Sequence, residues 1–433
     1  MNNIQNNVKY IDFLILGGGL SGLCAGYFLK KNYIIIEKEP VCGGLCYSHL
    51  HNGFVFDYTG HLLHTSSKDI ISFLNSILKN NIQLHIRNSV IRFRDSFVPF
   101  PFQNNLAYLP EAERLECLFE FVHEYHNKKL YYQDYKNWLK AFFGKGICKY
   151  FMFPYNEKLW RTDLSQISTE WIEKYIPQPD IKDMIKSSTS KENCYTGYNY
   201  NFFYPVKGGI GALIEALYQK NKNNILTNSP VYKIDLKNKK VYFSGGIIKY
   251  DKLITTIPLP EFLNCVFPAE TSEKYISNLD YVSVYNLNYA LETTERNNYH
   301  WVYFPENKYD FYRAGFYHNF SAYSTPSKNH HSSYIEISYK NKITPIDKRE
   351  IQRQFFDVGI YSRNKTKILF EYPLNIKYAY VIYNKKRRML LKYLNSIFSK
   401  NSVYPLGRYA EWNYSSMHNS MTGAMRVANF FKA

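Results

Sequence analysis

The sequence predicts an α/β fold: a discontinuous, Rossmann-like nucleotide-binding domain carrying a helical insertion and an antiparallel β-sheet substrate domain. Three observations predict it. A strand–glycine turn–helix–strand unit opens the chain. Strand and helix patterns return at its other end. Between them, a helical stretch precedes strands that alternate with period two.

Residues 11–16 (IDFLIL) form an apolar run of the kind seen in strands buried on both faces. A glycine turn follows, then a helical stretch to about Lys31, then a second strand at 33–37. Such a βαβ unit begins a doubly wound sheet. Residues 111–150 and 155–190 lack strand alternation and show helical spacing. Residues 229–260 predict strand–turn–strand–strand, and 281–291 and 332–339 alternate as an antiparallel sheet does. Residues 383–400 predict a basic helix, and 404–433 a glycine-bounded strand and a closing helix. The nucleotide domain is therefore expected at 1–85, 203–275 and 400–433. The helical domain is expected at 103–200, and the sheet domain at 86–102 and 276–399.

A chain of 433 residues supports two or three domains with a full core. The formal charge of +18 suggests an anionic partner. Only 14 of the 54 basic residues are Arg, however, and Asn, Ile and Tyr abound. An AT-rich coding sequence produces that bias with no functional cause. No finger spacing, arginine-rich tract or RNP-like sequence occurs, so nucleic acid is not an expected partner. Seven scattered Cys without a Cys-x-x-Cys argue against a disulfide framework and against a metal site. They suit a reducing, cytoplasmic setting. Residues 11–29 are apolar, but five glycines interrupt them. No other stretch approaches the ~20 apolar residues of a membrane span, so no integral membrane segment is expected. The sequence leaves the oligomeric state open.

Gly17-Gly18-Gly19-Leu20-Ser21-Gly22 matches G-x-G-x-x-G directly after the first strand. Gly17 permits the tight turn, Gly19 lets backbone approach a pyrophosphate, and Gly22 lets helix pack on strand. Free N–H groups at the helix start receive phosphate charge. Glu37 ends the second strand, where an acid bonds ribose hydroxyls and repels a 2′-phosphate. Together these predict a dinucleotide site.

Glu37-Lys38-Glu39-Pro40-Val41-Cys42-Gly43-Gly44 adds a second glycine pair after the ribose acid. This arrangement resembles the FAD-binding signature of the flavin amine oxidase, protoporphyrinogen oxidase, phytoene desaturase and UDP-galactopyranose mutase superfamily. Pro205-Val206-Lys207-Gly208-Gly209 resembles that superfamily's later Gly-Gly element. Val231 falls where the family contacts adenine, and Thr255-Thr256-Ile257-Pro258 resembles its strand ending at the cofactor. The resemblance implies FAD, held by Gly17, Gly19, Gly22, Glu37, Lys38, Gly43, Gly44, Gly60, His61, Val231, Thr256, Gly407, Arg408, Met417 and Ser420.

Within the superfamily, the chain resembles the UDP-galactopyranose mutases. Gly60-His61-Leu62-Leu63-His64-Thr65 resembles their histidine loop beside the flavin. Pro99-Phe100-Pro101-Phe102-Gln103-Asn104-Asn105 resembles their uridine-binding loop, with Gln103 on the uracil contact and Phe100 in place of a Tyr. Asn156 and Trp160, in Pro154-Tyr155-Asn156-Glu157-Lys158-Leu159-Trp160, fall on substrate-pocket positions, as does Asn199. Trp301 and Tyr303 correspond to the aromatic pair that faces uridine. Arg313 corresponds to the Arg that grips the diphosphate, joined by Tyr380 and Tyr414. Gly407-Arg408-Tyr409 begins a stretch resembling the C-terminal flavin-end motif. The implied catalytic set is His61, Arg313, Arg408, Tyr380 and Tyr414.

The resemblance implies a UDP-sugar pyranose/furanose mutase in cell-surface polysaccharide biosynthesis. In such an enzyme reduced flavin N5 attacks the anomeric carbon of a UDP-hexose, and NADPH or NADH is the candidate reductant. The same cofactor motifs serve a flavin-dependent oxidase or desaturase of the protoporphyrinogen oxidase and amine oxidase type, which is the alternative. Two departures stand out. Where the mutases carry a mobile-flap Arg after a Trp resembling Trp171, this chain has Glu173-Lys174-Tyr175, so Lys174 is the only substitute. The segment from Ser415 to Ser420 is also shorter than the family's Asp-His-Ser motif.

Overall fold

The computed structural model describes residues 8–127, 132–172, 175–176, 178–191, 199–342 and 346–432. Lys174 lies outside the described residues. The first strand, Lys9–Leu16, lies inside a seven-stranded sheet, parallel to Tyr33–Ile36 on one side and Gly246–Thr255 on the other. Beyond Gly246–Thr255 the sheet continues antiparallel through Lys240–Phe243 to Val231–Asp235. The end of Gly246–Thr255 takes Val403–Pro405 in parallel, which brings the C-terminal part of the chain back to the first sheet. Leu14, Ile15, Ile35, Leu253 and Ile254 are fully buried. Burial on both faces is why these segments read as unbroken apolar runs rather than alternating ones.

Helix Leu20–Leu29 crosses this sheet beside Met417–Phe430 and Gly211–Asn221. A Cβ at Gly22 would collide with the Gly17 carbonyl, so only glycine permits this helix to start against its strand. The insertion between the nucleotide segments is helical: Glu111–Tyr125, Tyr135–Ile147, Phe153–Trp160 and Ile181–Thr189. Asp134 starts the second of these by accepting from the Asn137 N–H at 2.9 Å.

The second sheet also has seven strands, in the order Thr366–Val381, Tyr281–Thr293, His330–Tyr339, Arg313–Phe316, Trp301–Tyr303, Ser89–Phe93, Ser96–Pro99. All its pairings are antiparallel except Trp301–Tyr303 with Ser89–Phe93, which is parallel. The long strand Thr366–Val381 was not foreseen. Its burial alternates cleanly only over residues 373–378, and residues 375–380 reach the cleft. A separate core of Tyr289, Phe304, Phe311, Phe316, Ile335 and Phe355 backs this sheet.

The seam between the two sheets is polar. Asp57 is fully buried there and accepts from Ser48 Oγ and, at 2.7 Å, from Tyr204 Oη. Its backbone carbonyl accepts from Tyr317 Oη at 2.7 Å and from Asn286 Nδ2 at 3.4 Å, both from the second sheet's domain. The Gly208-Gly209 turn packs here: a Cβ at Gly209 would meet Asp57 Oδ1 at 2.8 Å. That glycine pair therefore serves the seam and does not line the cleft. Among the described residues, no helix is long and apolar enough to cross a membrane. Nor is there a cluster of three or more His, Cys, Asp or Glu that could hold a metal.

Candidate active site

A cleft of about 900 Å³ runs between the two sheets. One end is formed mostly by main chain. Gly17 turns with φ +100°, and a Cβ there would lie 2.5 Å from Thr256 Oγ1. Above Gly19 the nearest atom to such a Cβ is the Gly43 carbonyl at 3.9 Å, so open space lies over this backbone. Gly43, with φ +138°, donates its N–H to the Gly18 carbonyl at 3.0 Å. The two glycine turns are thus one wall. Helix Leu20–Leu29 begins here with no side-chain cap and no acid in its first turn. Its free N–H groups and dipole suit an anion. A second helix N-terminus, at Met417, contributes Met417 and Ser420 to the cleft.

Glu37 sits at the end of the second strand, buried, with one oxygen 2.6 Å from the Gly18 N and the other 2.9 Å from the Glu39 N. Those bonds fix the carboxylate, and its remaining lone pairs are available to ribose hydroxyls. Lys38, Gly44, Val231 and Thr256 also line the cleft, as does Gly60, where a Cβ would lie 2.5 Å from the Tyr334 hydroxyl. Lys38 also pairs with Glu261 at 3.6 Å. The open space over Gly19 and the uncapped start of helix Leu20–Leu29 fit a dinucleotide such as FAD, whereas the Met417 helix start is closed by a Ser416–Asn419 capping box.

The other end is formed by side chains. Arg313 presents Nε and Nη2 to Glu336 Oε1 at 3.0 and 2.7 Å. Glu336 is fully buried, and its second oxygen accepts from Tyr312 Oη. Burial works against the Arg313 charge, but the adjacent carboxylate reverses that and raises the guanidinium pKa well above its ordinary value. Arg408 is held differently. Its Nη atoms donate to the Ser415 and Ala379 carbonyls at 3.0 and 2.9 Å. It stacks 4.8 Å from the Tyr414 ring and has no acidic partner among the described residues. Tyr380 and Tyr414 stack with centroids 6.3 Å apart. Burial pushes both phenol pKa values up, so both hydroxyls stay protonated and can donate. Burial pushes the His61 imidazole down to about 4, helped by Arg408 and Arg313, so His61 is neutral at pH 7.

Trp301 and Tyr303 line the cleft beside these cations, with Asn199 at its edge. Phe100 and Gln103 stand one layer behind. The Phe100 ring lies 4.8 Å from Tyr303, and the buried Gln103 accepts on its backbone carbonyl from Ser187 Oγ at 3.0 Å. Asn156 and Trp160 are also behind the lining. Asn156 Oδ1 accepts from Tyr135 Oη at 3.0 Å and Trp160 Nε1 at 3.2 Å, while its Nδ2 donates to the Met152 carbonyl. Gly22 and Gly407 shape turns without facing the cleft. A Cβ at Gly407, where φ is +90°, would strike Ser21.

Sequence reasoning missed two anchors. Glu336 lies opposite Arg313 in the strand register. An acid between two isoleucines in an alternating strand was the available signal. Lys158 is buried and donates from Nζ to the carbonyls of Phe304 at 2.9 Å, Tyr309 at 2.8 Å and Glu306 at 2.5 Å. It thereby holds the turn between Tyr303 and Arg313.

The family model for flavin containing amine oxidoreductases matches residues 20–358. The chain belongs to that family. Within it, the chain is UDP-galactopyranose mutase-like. A crystal structure of reduced UDP-galactopyranose mutase superposes with a TM-score of 0.89 at 26% identity, covering 98% of this chain and 94% of that one. UDP-galactopyranose mutase of Mycoplasma pneumoniae is 23% identical over 253 residues, which span 55% of this chain and 60% of that protein. Wild-type putrescine oxidase bound to putrescine shares the fold at TM-score 0.69 and 11% identity, covering 98% and 99% of the two chains. The chain is therefore a flavoenzyme.

Proposed function

We propose that this flavoenzyme interconverts the pyranose and furanose forms of a UDP-hexose, with FAD as cofactor. The observation that carries the proposal is the pair of guanidiniums, Arg313 and Arg408, facing one cleft with the Tyr380 and Tyr414 hydroxyls between aromatic walls. In reduced form the bound flavin supplies a nucleophilic ring nitrogen for the anomeric carbon. The residues of the chain do the rest by binding and orienting. Arg313, held by Glu336, and Arg408, held by two carbonyls, offer donors in fixed directions to the diphosphate. Charge that develops on the departing UDP meets donors already in place, in a cleft whose rings exclude water. Trp301 and Tyr303 provide faces for uracil, with Phe100 packed against Tyr303. His61, being neutral, contributes shape and a hydrogen bond rather than charge.

The same electrostatics disfavour amine oxidation. The described lining around Arg313, Glu336 and Arg408 keeps an excess positive charge, which repels a cationic amine. The test is flavin-loaded protein, reduced with dithionite, supplied with UDP-galactofuranose and followed by chromatography. UDP-galactopyranose is the expected product, and NADH and NADPH are compared as reductants. No conversion and no UDP binding, together with bleaching of the oxidised flavin by an amine or a polyene, would overturn this reading in favour of an oxidase or desaturase.

A further inference from the structure

We propose that the Tyr334 hydroxyl bonds a hydroxyl group of the bound hexose and so helps to select the sugar; this rests on the UDP-hexose reading above. Tyr334 lies on strand His330–Tyr339, two residues before Glu336, and side chains two apart in a strand share a face. It therefore sits on the side of the sheet from which Glu336 supports Arg313. Its partner in the register is Gly315, as Glu336 partners Arg313. A side chain at Gly315 would overlap the Tyr334 ring, and a Cβ at Gly60 would lie 2.5 Å from its hydroxyl. Two glycines from separate segments thus leave a slot shaped for this one phenol. The ring lies against Tyr317 at 4.8 Å and is 1% exposed, yet the residue lines the cleft. Only its polar end is left to meet a ligand.

That end is unengaged. Three neighbouring buried tyrosines spend their hydroxyls inside the protein: Tyr312 on Glu336, Tyr204 on Asp57, Tyr317 on the Asp57 carbonyl. The Tyr334 hydroxyl has no hydrogen-bond partner among the described residues, and it is not one of the sealed polar atoms either. A phenol O–H left without a partner beside a cleft is a donor and acceptor waiting for a ligand. Its place identifies which part of the ligand. Arg313, which affects Tyr334 electrostatically, marks the diphosphate side, and Gly60 begins the loop that carries His61 toward the flavin. The hexose must lie between the diphosphate and the flavin nitrogen, and hydroxyls are the groups it offers there.

The test uses Tyr334→Phe, which keeps the ring and removes only the oxygen. Flavin-loaded wild-type and variant proteins are titrated with UDP, with UDP-galactose, and with UDP-galactose analogues deoxygenated at one position in turn. The visible flavin spectrum verifies that the variant is intact. The expected result is UDP-galactose binding about fivefold to tenfold weaker in the variant, with UDP binding unchanged within about twofold. One deoxygenated analogue should lose the same factor on the wild type and nothing further on the variant. Equal UDP-galactose affinity in both proteins would overturn the assignment of Tyr334 while leaving the UDP-hexose reading intact, and so would an equal loss for UDP and UDP-galactose. Should the variant fail to load flavin, the wild-type panel decides: a flat response across all analogues overturns the proposal, and a single outlier supports it. Failure of the wild type to bind either UDP or UDP-galactose would instead break the functional reading, and this proposal with it.

Discussion

At the proposed flavin end of the cleft a ligand would meet main chain; at the proposed UDP end it would meet side chains that the fold must hold still. The flavin end comes largely from two adjacent glycine turns hydrogen-bonded to each other, Gly43 N–H to the Gly18 carbonyl at 3.0 Å. The uncapped start of helix Leu20–Leu29 and the backbone donors beside it suit a phosphate, and they cannot move away. At the other end, long flexible side chains converge from segments far apart in sequence. Each needs its own anchor: Glu336 for Arg313, two carbonyls for Arg408, and Lys158 for the turn between Tyr303 and Arg313. The difference teaches where each end is vulnerable. The first is broken by adding atoms, the second by removing them.

The largest expected effect lies at the glycine end. Gly19→Val adds a side chain where the nearest protein atom is 3.9 Å away, so the chain still folds, but the added carbons occupy the space over the backbone. The variant should be folded by circular dichroism and colourless. Gly22→Val adds the same carbons against the Gly17 carbonyl and should instead lose the fold of the first helix. A yellow Gly19→Val protein would show that the open space above Gly19 is not where the cofactor lies.

The same contrast explains what the sequence made legible. Close approach of backbone to ligand requires glycine at fixed spacing, so Gly17, Gly19, Gly43 and Glu37 stand out within one continuous stretch. Arg313 and Arg408 are legible through their match to the mutase motifs, and the scarcity of Arg in this chain gives that match weight. Their supports are not. Glu336 acts only through the register that sets it opposite Arg313, and register belongs to strand pairing rather than to either strand alone. Lys158 was one lysine among many until the fold brought carbonyls from residues 304–311 around its ammonium. Asn156 and Trp160 matched a pocket motif, yet the structure uses them to brace Tyr380 and Tyr414 from behind. Trp160 lies 5.8 Å from Tyr380 and 6.1 Å from Tyr414.

Removing atoms at the second end should have graded effects. Arg313→Ala deletes a charged donor to the diphosphate and should weaken UDP binding by about 1.5–3 kcal/mol, read by titration calorimetry. It also strands the buried Glu336 carboxylate, so the variant should melt at lower temperature than the wild type even without ligand. Flavin content should stay the same, which separates the two ends. Lys158→Met keeps the bulk of the lysine stem but leaves the carbonyls of residues 304–311 without their donor. A small solvent pocket at Lys158 and Tyr309 lets water replace part of the loss. The expected cost is about 2 kcal/mol in urea unfolding, together with weaker UDP binding and unchanged flavin content. Unchanged UDP affinity would show that the turn holds Tyr303 and Arg313 in place without its lysine.

The smallest effect probes the seam that joins the two ends. Burial raises the Asp57 carboxyl from 3.8 to about 6, although the Ser48 and Tyr204 hydroxyls and the Ile210 N–H pull the other way. The folded chain therefore binds this proton more tightly than the unfolded chain does. Stability from this group is fully present below the unfolded value and is lost as pH rises through about 6. In Asp57→Asn the side chain no longer titrates. Between about pH 5 and about pH 8 the wild type should lose about 1 kcal/mol relative to the variant. Buried His61, His64 and His300, each lowered to about 4, act in the opposite sense, since their folded forms resist the proton that the unfolded chain accepts. They are present in both proteins, so the difference between the two unfolding curves isolates Asp57. A constant difference across that range would mean that water reaches the carboxylate, and that the seam between the two sheets is looser than its hydrogen bonds imply.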